Sequence, residues 1–585
     1  MVPSAVRTPE EPLASAPRRL LDDGAHATPV DLLDAAHAAL LERALSAERP
    51  AHALMRRAGS AVARLARALA PHARRVIVLA GPGNNGGDGF EAAACLKAQW
   101  PAVELCLVWL GHAHTQPVDA RASRGRAEAA GVDIHGPFSP AAPPNIRDDR
   151  NGPIGTIGQP AAPTPGPDLD AWCITLTRAQ ADTLVIDALL GRGLNRPVDG
   201  EMARLIDALN AGAARVLAVD LPSGLNGDTG IWPDDPRPAI VRADATLALL
   251  SPAPGLCTGH GRDHVGEPWW HDLDARLDSR STGMPAQARL VRAATLAELR
   301  QPRPHRQHKG SVGDVWVIGG TPTMQGAACL AARAALEAGA GRVHVELLGA
   351  VDEVSGLIQA QAPGHDGAQP ELMMGRRAEE VDLRLATVVA GCGGGAAMAG
   401  RLPEVLAHAA RLVLDADALN AIARDPGLLA VLRQRADRGL ASVVTPHPLE
   451  AARLLDSSVA AVQADRLGAA RALTARLGCT ALLKGSGSIV CGPCAAALPS
   501  INSSGNAALA TPGSGDVLAG LIGALWSRLA SSDWTAADPG DDVATAATRM
   551  AVYLHGWVAQ SLSPHGAALP ASRLAAALGD WLRRA

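Results

Sequence analysis

Lysine is scarce in this chain. Of 54 lysine and arginine residues only three are lysines, namely Lys97, Lys309 and Lys484. Arginine supplies nearly all the other positive charge, so a lysine in a glycine-rich turn is informative, because an ammonium contacts phosphate as a compact point charge and a guanidinium does not. Lys309 and Lys484 both precede glycine, whereas Lys97 lies in an ordinary helical segment. The shortage therefore marks Lys309 and Lys484 as candidate phosphate contacts.

Other absences exclude whole classes of protein. No apolar stretch approaches the ~20 residues that span a bilayer, and the first residues lack the apolar core of a signal peptide. The nine cysteines are odd in number and scattered, which argues against a disulfide framework, and the lone C-x-x-C at Cys491 and Cys494 has no second pair to complete a structural metal site. A net charge of -4 argues against nucleic acid or an anionic membrane as partner. We therefore expect a cytoplasmic enzyme.

Short β-rich runs alternate with alanine-, leucine- and arginine-rich segments of helical length. At 585 residues the chain is too long for one ordinary core. Several of the predicted strands are apolar throughout, as strands covered on both faces by helices are. The sequence predicts an α/β protein with two three-layer α/β/α sandwiches and mainly parallel sheets. The predicted strands are Arg75–Ala80, Val103–Trp109, Thr183–Asp187, Val216–Asp220, Thr246–Leu250, Asp314–Ile318, Arg342–Leu347, Thr387–Ala390, Leu412–Asp415, Ser442–Thr445, Thr480–Lys484 and Ser488–Cys491.

Composition predicts the domain boundaries. We expect a flexible tail over residues 1–24, a first domain over 25–275, a linker over 276–306 and a second domain over 307–585. The many prolines of residues 136–170 predict a mobile surface insertion in the first domain.

The most informative segment is residues 506–520, NAALATPGSGDVLAG. Gly513 and Gly515 allow backbone amides to converge on one point, and helix-forming residues follow from Val517. Such a loop offers free N–H groups and the positive end of a helix dipole to an anion such as phosphate. Asp516 is then a candidate base for a hydroxyl that attacks a phosphoryl group. The alternative is that Asp516 only caps the helix.

A second glycine-rich segment lies in the first half. The strand Val76–Leu79 runs into residues 81–89, GPGNNGGDG, and we expect a helix from about Phe90. A strand, a glycine loop and a helix start form a phosphate or dinucleotide cradle. This is not the G-x-G-x-x-G fingerprint, because Asn84 and Asn85 occupy the loop. Their side-chain amides favour recognition of an amide or hydroxyl as well as phosphate, and the alternative is a tight turn.

Two acidic residues end predicted strands of the same domain. Asp187 precedes ALLGRGLNRP, and Asp220 precedes LPSGLNGDTG. In an open parallel sheet, ligands bind outside the carboxyl ends of the strands, and unpaired carboxylates are costly in a core. A ligand site explains these positions better than a core does, and capping of a following helix is the alternative.

Together NNGGDG, GLNRP and DLPSGLNGDTG resemble the NAD(P)H-hydrate epimerase domain over roughly residues 25–275. The resemblance implies that Asp220 lies at the reacting centre and that Asn85, Asp187 and Ser223 hold a potassium ion, a hard cation suited to oxygen ligands. It implies that the hydrated nucleotide is bound by Asn84, Asn85, Gly86, Gly87, Asp88, Gly191, Arg192, Gly193, Leu194, Asn195, Arg196 and Pro197. Two features depart from the family pattern: Arg56 stands where the family has glutamate, and residues 251–256 lack its lysine.

The second half carries a longer ordered series of motifs, HKG, GGT, GAA, GCGGG, LDADALN, TPHPLE and KGSGS, before the loop described above. This order resembles the ribokinase-like superfamily and, within it, the ADP/ATP-dependent NAD(P)H-hydrate dehydratase over about residues 290–585. The resemblance implies that Ala327, Gly393, His447 and Asp516 contact the hydrated cofactor. It implies that Lys484, Gly485, Ser486, Gly487, Ser488 and Gly515 bind the nucleotide. The family sequence GPGLG is replaced here by residues 391–395, GCGGG, which loosens a wall of the substrate pocket.

Asp415 and Asp417 allow two interpretations. They orient magnesium-bound phosphate, or they only cap the following helix.

The sequence thus predicts a bifunctional enzyme that repairs hydrated NADH and NADPH. One domain interconverts the epimers, and the other uses ADP or ATP with Mg²⁺ to phosphorylate the hydroxyl of the S epimer, so that phosphate leaves and the dihydronicotinamide returns. Residue chemistry alone supports phosphoryl transfer beside a second nucleotide site. One alternative is a small-molecule kinase of the sugar or hydroxymethylpyrimidine type, and another is a non-catalytic N-terminal binding module. We also expect a homo-oligomer.

Overall fold

The computed structural model describes residues 15–21, 29–138, 169–233, 235, 237–275, 285–301, 303–349, 366–375, 382–532 and 542–584. The described residues form two compact units. The first takes in those of Met1–Leu20, Leu33–Leu256 and His260–Pro285, and the second those of Leu21–Leu32, Cys257–Gly259 and Ala286–Ala585. No helix among the described residues is long and apolar enough to cross a membrane.

The described part of the first unit contains an eight-stranded sheet that is parallel except at one edge. Its strands are β1 Arg18–Arg19, β3 Arg75–Ala80, β4 Glu104–Leu110, β5 Asp133–Phe138, β6 Thr183–Ala188, β7 Arg215–Val219, β8 Ala245–Leu249 and β9 Glu267–His271. They lie in the order β1-β9-β8-β7-β6-β3-β4-β5, and only β1 is antiparallel to its neighbour. The chain adds strands on one side of β3 and then continues at β6 on the other side, so the strand order reverses between β3 and β6.

Helices accompany this sheet because its central strands are apolar on both faces. They are α1 Ala35–Ala47, α2 Ala53–Leu69, α3 Asn84–Gln99, α4 Val118–Ala129, α5 Leu169–Thr177, α6 Gly200–Ala211 and α7 Gly261–His264, with a 3-10 helix at Pro254–Leu256. Every residue of β6 and β8 is buried. Covered strands of this kind require elements on both faces, as the sequence predicts.

The described part of the second unit contains an eleven-stranded mixed sheet. Its strands are β2 Val30–Leu32, β10 Ala288–Val291, β11 Asp314–Gly319, β12 Arg342–Leu347, β13 Met373–Met374, β14 Thr387–Ala390, β15 Arg411–Leu414, β16 Ala441–Val444, β17 Thr480–Leu483, β18 Ile489–Cys491 and β19 Ser500–Asn502. Their order is β13-β12-β11-β14-β15-β16-β17-β18-β19-β10-β2, parallel from β13 to β17. Strand order reverses between β11 and β14.

Helices accompany this sheet too, and some of them form a large buried cluster with it. They are α8 Lys309–Val312, α9 Gln325–Glu337, α10 Ala397–His408, α11 Asp417–Arg424, α12 Pro426–Asp437, α13 Pro448–Leu455, α14 Val459–Ala464, α15 Arg466–Leu477, α16 Ser514–Ala530, α17 Val543–Leu562 and α18 Ala571–Arg584, with 3-10 helices at Ala293–Arg300 and Ala507–Leu509. Alternate residues of β11, Val315 and Val317, join a buried cluster with α9, α16, α17 and α18. The period of two shows that this cluster covers one face of the sheet.

All twelve predicted strands are present, with each end within one residue of its prediction. In the described residues seven further strands were missed, namely β1, β2, β5, β9, β10, β13 and β19. Four of them have two or three residues, and β5 and β9 contain proline and charged residues. Such strands depend on pairing with neighbours more than on their own composition.

Several predicted boundaries are wrong. Residues 288–300 are not a linker, because β10 pairs with β19 and β2 inside the second sheet. Residues 29–32 belong to the second unit although the prediction assigned them to the first domain. Within the predicted tail, Arg18–Arg19 pair with β9. Residues 139–168 of the predicted insertion lie outside the described residues, while its ends belong to β5 and α5.

Candidate active sites

The first candidate site lies at the carboxyl ends of β3, β6 and β7, where the strand order reverses. Neighbouring parallel strands end on the same edge there, and open α/β sheets bind ligands at such a point. A cavity of about 810 Å³ lies within the first unit at this edge. The predicted residues that line it are Asn84, Asn85, Asp88, Gly191, Arg192, Gly193, Leu194, Asn195, Arg196 and Asp220.

Asp220 follows β7 in a strained conformation. Its φ is 65°, a region that residues with a Cβ rarely occupy. The carboxylate lies 3.5 Å from Nε of Arg192. No helix begins directly after Asp220 or after Asp187, so neither residue is the helix cap that was the alternative. Strain at a cavity-lining carboxylate is typical of a functional position.

Gly191 lies close to two other predicted residues, Asn85 and Asp220. A Cβ built on Gly191 would lie 3.4 Å from Asn85 Cβ and 3.4 Å from Asp220 Oδ2. Arg192 also donates to the carbonyl of Ser251. Arg192 therefore places a positive charge at residues 251–256, the segment that lacks the family's lysine.

Asp187 is completely buried beneath this edge. Its Oδ1 accepts from Ser223 Oγ at 2.6 Å, and its Oδ2 accepts from the Ser223 backbone N–H at 2.8 Å. Burial raises the pKa of Asp187 to about 6. Asn85 on α3 lies next to Gly191, and both of its amide atoms are buried without a hydrogen-bond partner among the described residues. An orphaned amide oxygen and a buried carboxylate are both ligands that suit a hard cation.

The cavity also contains a carboxyl group that the sequence did not predict. Glu42 on α1 lines it together with Asp88 on α3. Burial and the charge of Asp220 raise the pKa of Glu42, and burial with the charge of Glu42 raises the pKa of Asp88 well above its usual value. No local motif marks Glu42, which sits in an ordinary helical sequence. Arg56, in contrast, is exposed on α2 and is not part of the lining.

The predicted glycine loop is mostly helix, because α3 begins at Asn84 rather than near Phe90. Gly86 and Gly87 are buried and do not line the cavity, and Pro197 does not line it either. A Cβ on Gly86 would lie 2.1 Å from Gly81 O, and one on Gly87 would lie 2.7 Å from Met55 Cε. These glycines therefore permit close packing rather than a free loop.

The second candidate site occupies the corresponding reversal between β11 and β14. A backbone hydrogen bond joins the loops after these strands, since Thr321 N–H donates to Gly393 O at 2.8 Å. Gly391 and Gly393 have φ values of 118° and 62°, which favour glycine. A Cβ on Gly393 would lie 2.9 Å from the Cβ of Ala327, so these two predicted residues are neighbours.

An ion pair forms the centre of this site. Lys484, directly after β17, donates from Nζ to Asp415 Oδ1 at 2.7 Å, and Thr445 Oγ1 donates to the same oxygen at 2.8 Å. Burial lowers the pKa of Lys484, but the charges of Asp415 and Glu450 outweigh this effect and the net shift is upward. Asp417 accepts from Gly395 N–H at 2.8 Å. Neither Asp415 nor Asp417 caps α11, so the capping interpretation is wrong.

Asp516 lies in the first turn of α16, which begins at Ser514 rather than Val517. Gly513 precedes it with a φ of 89°. A Cβ on Gly515 would lie 3.4 Å from Lys484 Nζ, so the ammonium sits against the helix N-terminus. Burial and the charge of Asp415 raise the pKa of Asp516 to about 6. Asp516 is not the cap of α16, which has no side-chain cap.

His447 begins α13 and has a structural role as well as a partly exposed ring. Its Nδ1 accepts from Leu449 N–H at 3.1 Å, and Glu450 accepts from the His447 N–H at 2.9 Å, which together form a capping box. Burial and the charge of Lys484 lower the pKa of His447. The residue is therefore neutral near neutral pH.

The predicted nucleotide segment, residues 484–488, forms the turn between β17 and β18. Gly485 and Gly487 have φ values of 138° and 62°. Ser488 Oγ accepts from Gly485 N–H at 3.2 Å and closes the turn. The buried Arg466 donates to Lys484 O at 3.3 Å.

Sequence reasoning missed two residues that support this site. His555 on α17 is buried, and its Nε2 lies 3.0 Å from Ser514 O. Burial lowers the pKa of His555 to about 4, so the ring is neutral and donates to that carbonyl. Cys392, whose sulfur lies within 4.8 Å of an Asp516 carboxylate oxygen, was considered only as part of an altered loop.

Comparisons with known proteins match both halves of the chain. Residues 315–578 match a family described as NAD(P)H-hydrate dehydratase, and residues 51–255 match a family described as YjeF-related protein N-terminus. A bifunctional NAD(P)H-hydrate repair enzyme of Escherichia coli K12 is 35% identical over 485 residues, 81% of this chain and 80% of the relative. The enzyme of the same description from Leishmania major is 33% identical over 493 residues, with coverages of 81% and 80%.

Among solved structures, the ADP/ATP-dependent NAD(P)H-hydrate dehydratase of Bacillus subtilis, co-crystallised with ATP and Mg²⁺, is 24% identical. The match covers 50% of this chain and 96% of that one, with a TM-score of 0.38.

Proposed function

Because the chain belongs to the family of bifunctional NAD(P)H-hydrate repair enzymes, we propose that its two units catalyse successive repair steps. The first unit interconverts the R and S epimers of hydrated NADH and NADPH. The second unit dehydrates the S epimer with ADP or ATP and Mg²⁺. The observation that carries this proposal is the cluster of Asp516, Lys484 and the N-terminus of α16 in the second unit.

The second unit has the groups that phosphoryl transfer requires. The substrate hydroxyl oxygen attacks the terminal phosphorus of the nucleotide, and Asp516 accepts the hydroxyl proton. Lys484 and the amide of Gly515 contact the phosphate oxygens as negative charge develops. Mg²⁺ is bound mainly through phosphates and water in such sites, so it would be held with the nucleotide beside Lys484 and would supply further charge neutralisation.

Elimination then completes the repair. The ring C–O bond breaks, inorganic phosphate leaves with the electron pair, and a proton is lost from the neighbouring ring carbon, which restores the dihydronicotinamide. Phosphate leaves far more easily than hydroxide, so the phosphorylation activates a poor leaving group.

In the first unit, epimerisation inverts the hydroxyl-bearing carbon: an acid protonates the hydroxyl so that it leaves as water, and water adds to the opposite face with loss of a proton to a base. Asp220 is the proposed proton-transfer group, and the 810 Å³ cavity that it lines has room for a nucleotide. Glu42 and Asp88 are further carboxyl groups in reach of the same cavity, and their raised pKa values favour the protonated form that donates a proton.

A potassium ion suits the buried donors beneath this cavity. Asn85 Oδ1 has no hydrogen-bond partner in the described part of the chain, and Asp187 and Ser223 supply further oxygens. These residues would hold the cation, which would fix the loop after β6.

We propose the cytoplasm as the site of action, because all nine cysteines are free, as in proteins of reducing compartments. The homo-oligomer stays a prediction.

The test supplies purified protein with both hydrate epimers and either nucleotide. Recovery of dihydronicotinamide absorbance with release of inorganic phosphate is expected, whereas a stable phosphorylated product would support the kinase alternative.

Asp516→Asn should abolish recovery of the dihydronicotinamide while leaving epimer interconversion intact. Chromatographic separation of the R and S hydrates measures that interconversion. Asp220→Asn should restrict rapid recovery to the S epimer, and unchanged processing of both epimers would support the non-catalytic module.

Replacing K⁺ by Na⁺ in the assay should slow the interconversion of the epimers and leave the dehydration of the S epimer unchanged.

A further inference from the structure

Cys392 occupies a rigid position beside the proposed base. It follows β14 within residues 391–395 and its side chain is completely buried. Its carbonyl accepts from Gly320 N–H at 3.0 Å, and glycines with positive φ flank it on both sides. A Cβ on Gly319 would lie 2.2 Å from this carbonyl, so the neighbouring chains are in close contact. These contacts fix the backbone of Cys392 and therefore the position from which its side chain projects.

That thiol lies close to Asp516. Cys392 Sγ, one oxygen of Asp415 and one oxygen of Asp516 all lie within 4.8 Å of one another. An ionised carboxylate only accepts hydrogen bonds, so the S–H group of Cys392 is the partner that can donate in this pair. Burial and the charge of Asp516 raise the pKa of Cys392 well above its usual value, so the sulfur keeps its proton and remains a donor.

We propose that Cys392 is a positioning residue for dehydration, whose S–H group orients the Asp516 carboxylate and stabilises its ionised form. The proposal rests on the proposed role of Asp516 as the base. No bond to sulfur forms or breaks, because the thiol acts only through its hydrogen bond.

The surrounding charges make this donor important. Asp415 and Asp417 both disfavour a charge on Asp516, and Lys484 favours it. Lys484 is itself shared with Asp415 at 2.7 Å. The other titratable groups around this ammonium are Glu450 and His447 on α13 and His555 on α17. Among the described side chains, the Cys392 thiol therefore joins Lys484 in favouring the ionised carboxylate, and Lys484 is already paired with Asp415.

The experiment compares Cys392→Ala and Cys392→Ser with Cys479→Ala, which removes another buried thiol of the same unit. Turnover and KM for the S hydrate and the nucleotide are measured from pH 5.5 to 8.5. For Cys392→Ala we expect the acid limb of kcat to move to higher pH, so that activity at pH 6 relative to pH 8 falls about two- to threefold below wild type. Cys392→Ser should keep the wild-type limb because its hydroxyl donates, and KM should not change.

Two outcomes would overturn the proposal. One is a Cys392→Ala profile that superimposes on that of Cys479→Ala. The other is a raised KM without a shifted limb, which would make Cys392 a pocket wall.

Thermal unfolding supplies a readout that needs no activity. If Cys392 donates to a carboxylate, the stability deficit of Cys392→Ala relative to Cys392→Ser is larger at pH 8 than at pH 4. A deficit independent of pH contradicts the proposal. Absence of turnover in the wild type would refute the proposed function, and the unfolding comparison would still decide the role of the thiol.

Discussion

The Asp516 carboxylate must be ionised to act as a base, and in that ionised form it lowers the stability of the folded protein. Burial and the charge of Asp415 raise its pKa to about 6, whereas an unfolded aspartate has a pKa of about 3.9. The folded protein therefore binds the proton more tightly, and stability from this group falls as pH rises from about 4 to about 6. Above that window the ionised carboxylate carries its full cost.

Asp516→Asn should therefore stabilise the protein while it abolishes dehydration. At pH 8 we expect a gain of about 1–2 kcal/mol, since one pKa shift of about two units corresponds to less than 3 kcal/mol and the side chain is partly accessible. At pH 4 the difference should vanish because the carboxyl is then neutral. Denaturant unfolding at both pH values measures it, and an Asn variant less stable at pH 8 would contradict the argument.

The chemistry of single residues was partly visible in the sequence. Lys484 and Asp516 were predicted from a shortage of lysine and from the glycines around them. Asp415 was also a candidate, but its contact with Lys484 was not predicted, and neither was the closeness of Cys392 to Asp516. These residues are separated by tens of residues and come together only at the ends of β14, β15 and β17 and at the start of α16. Glu42 has no motif at all.

At the scale of elements, glycines decide how closely α2 and α3 approach. A Cβ on Gly59 would lie 2.4 Å from Glu91 Cβ and 2.8 Å from the backbone nitrogen of Ala92. A Cβ built on Gly125 of α4 would have no heavy atom of a neighbouring described residue within 4 Å. The two glycines lie in helix interiors of the same unit and differ only in what surrounds them.

Gly59→Ala should destabilise the first unit by about 2–3 kcal/mol, because backbone of α3 must move. Gly125→Ala should instead stabilise it by up to about 1 kcal/mol through helix propensity. Thermal unfolding of the two variants, followed with epimerase activity, measures both effects. Equal shifts of the same sign would show that helix packing is not what limits this position.

The start of α3 shows why a sequence misjudges such an element. Five glycines in nine residues predicted a loop, yet Asn84–Gly89 are helical. Their intrinsic cost in a helix is outweighed by contacts that only residues without a Cβ permit. The local composition indicates only how readily this segment forms a helix by itself. Its contacts with neighbouring residues determine that it is helical in the folded protein.

At the scale of the whole molecule, neighbouring residues near the N-terminus serve different units. Leu32 ends β2, is fully buried and pairs with Ala288 in the second sheet. Leu33 is also buried, and its N–H donates to Pro252 O in the first unit at 3.2 Å. The predicted boundaries at 24–25 and 306–307 missed this interleaving.

Leu32→Ala and Leu33→Ala should therefore separate the two activities. Loss of a buried leucine costs about 2–5 kcal/mol, so Leu32→Ala should lower the temperature at which dehydration is lost, and Leu33→Ala the temperature at which epimerisation is lost. Residual activities after graded heating measure this. Equal losses of both activities in both variants would contradict the assignment.

The sequence by itself determined the two α/β sheets, twelve strands and the glycine-rich motifs at their ends, because these depend on hydrophobic runs and on local backbone freedom. Only the tertiary structure decided which carboxylates share a cavity, which thiol contacts the base and which strands close each sheet. Those features depend on contacts between distant segments, and no local pattern encodes them.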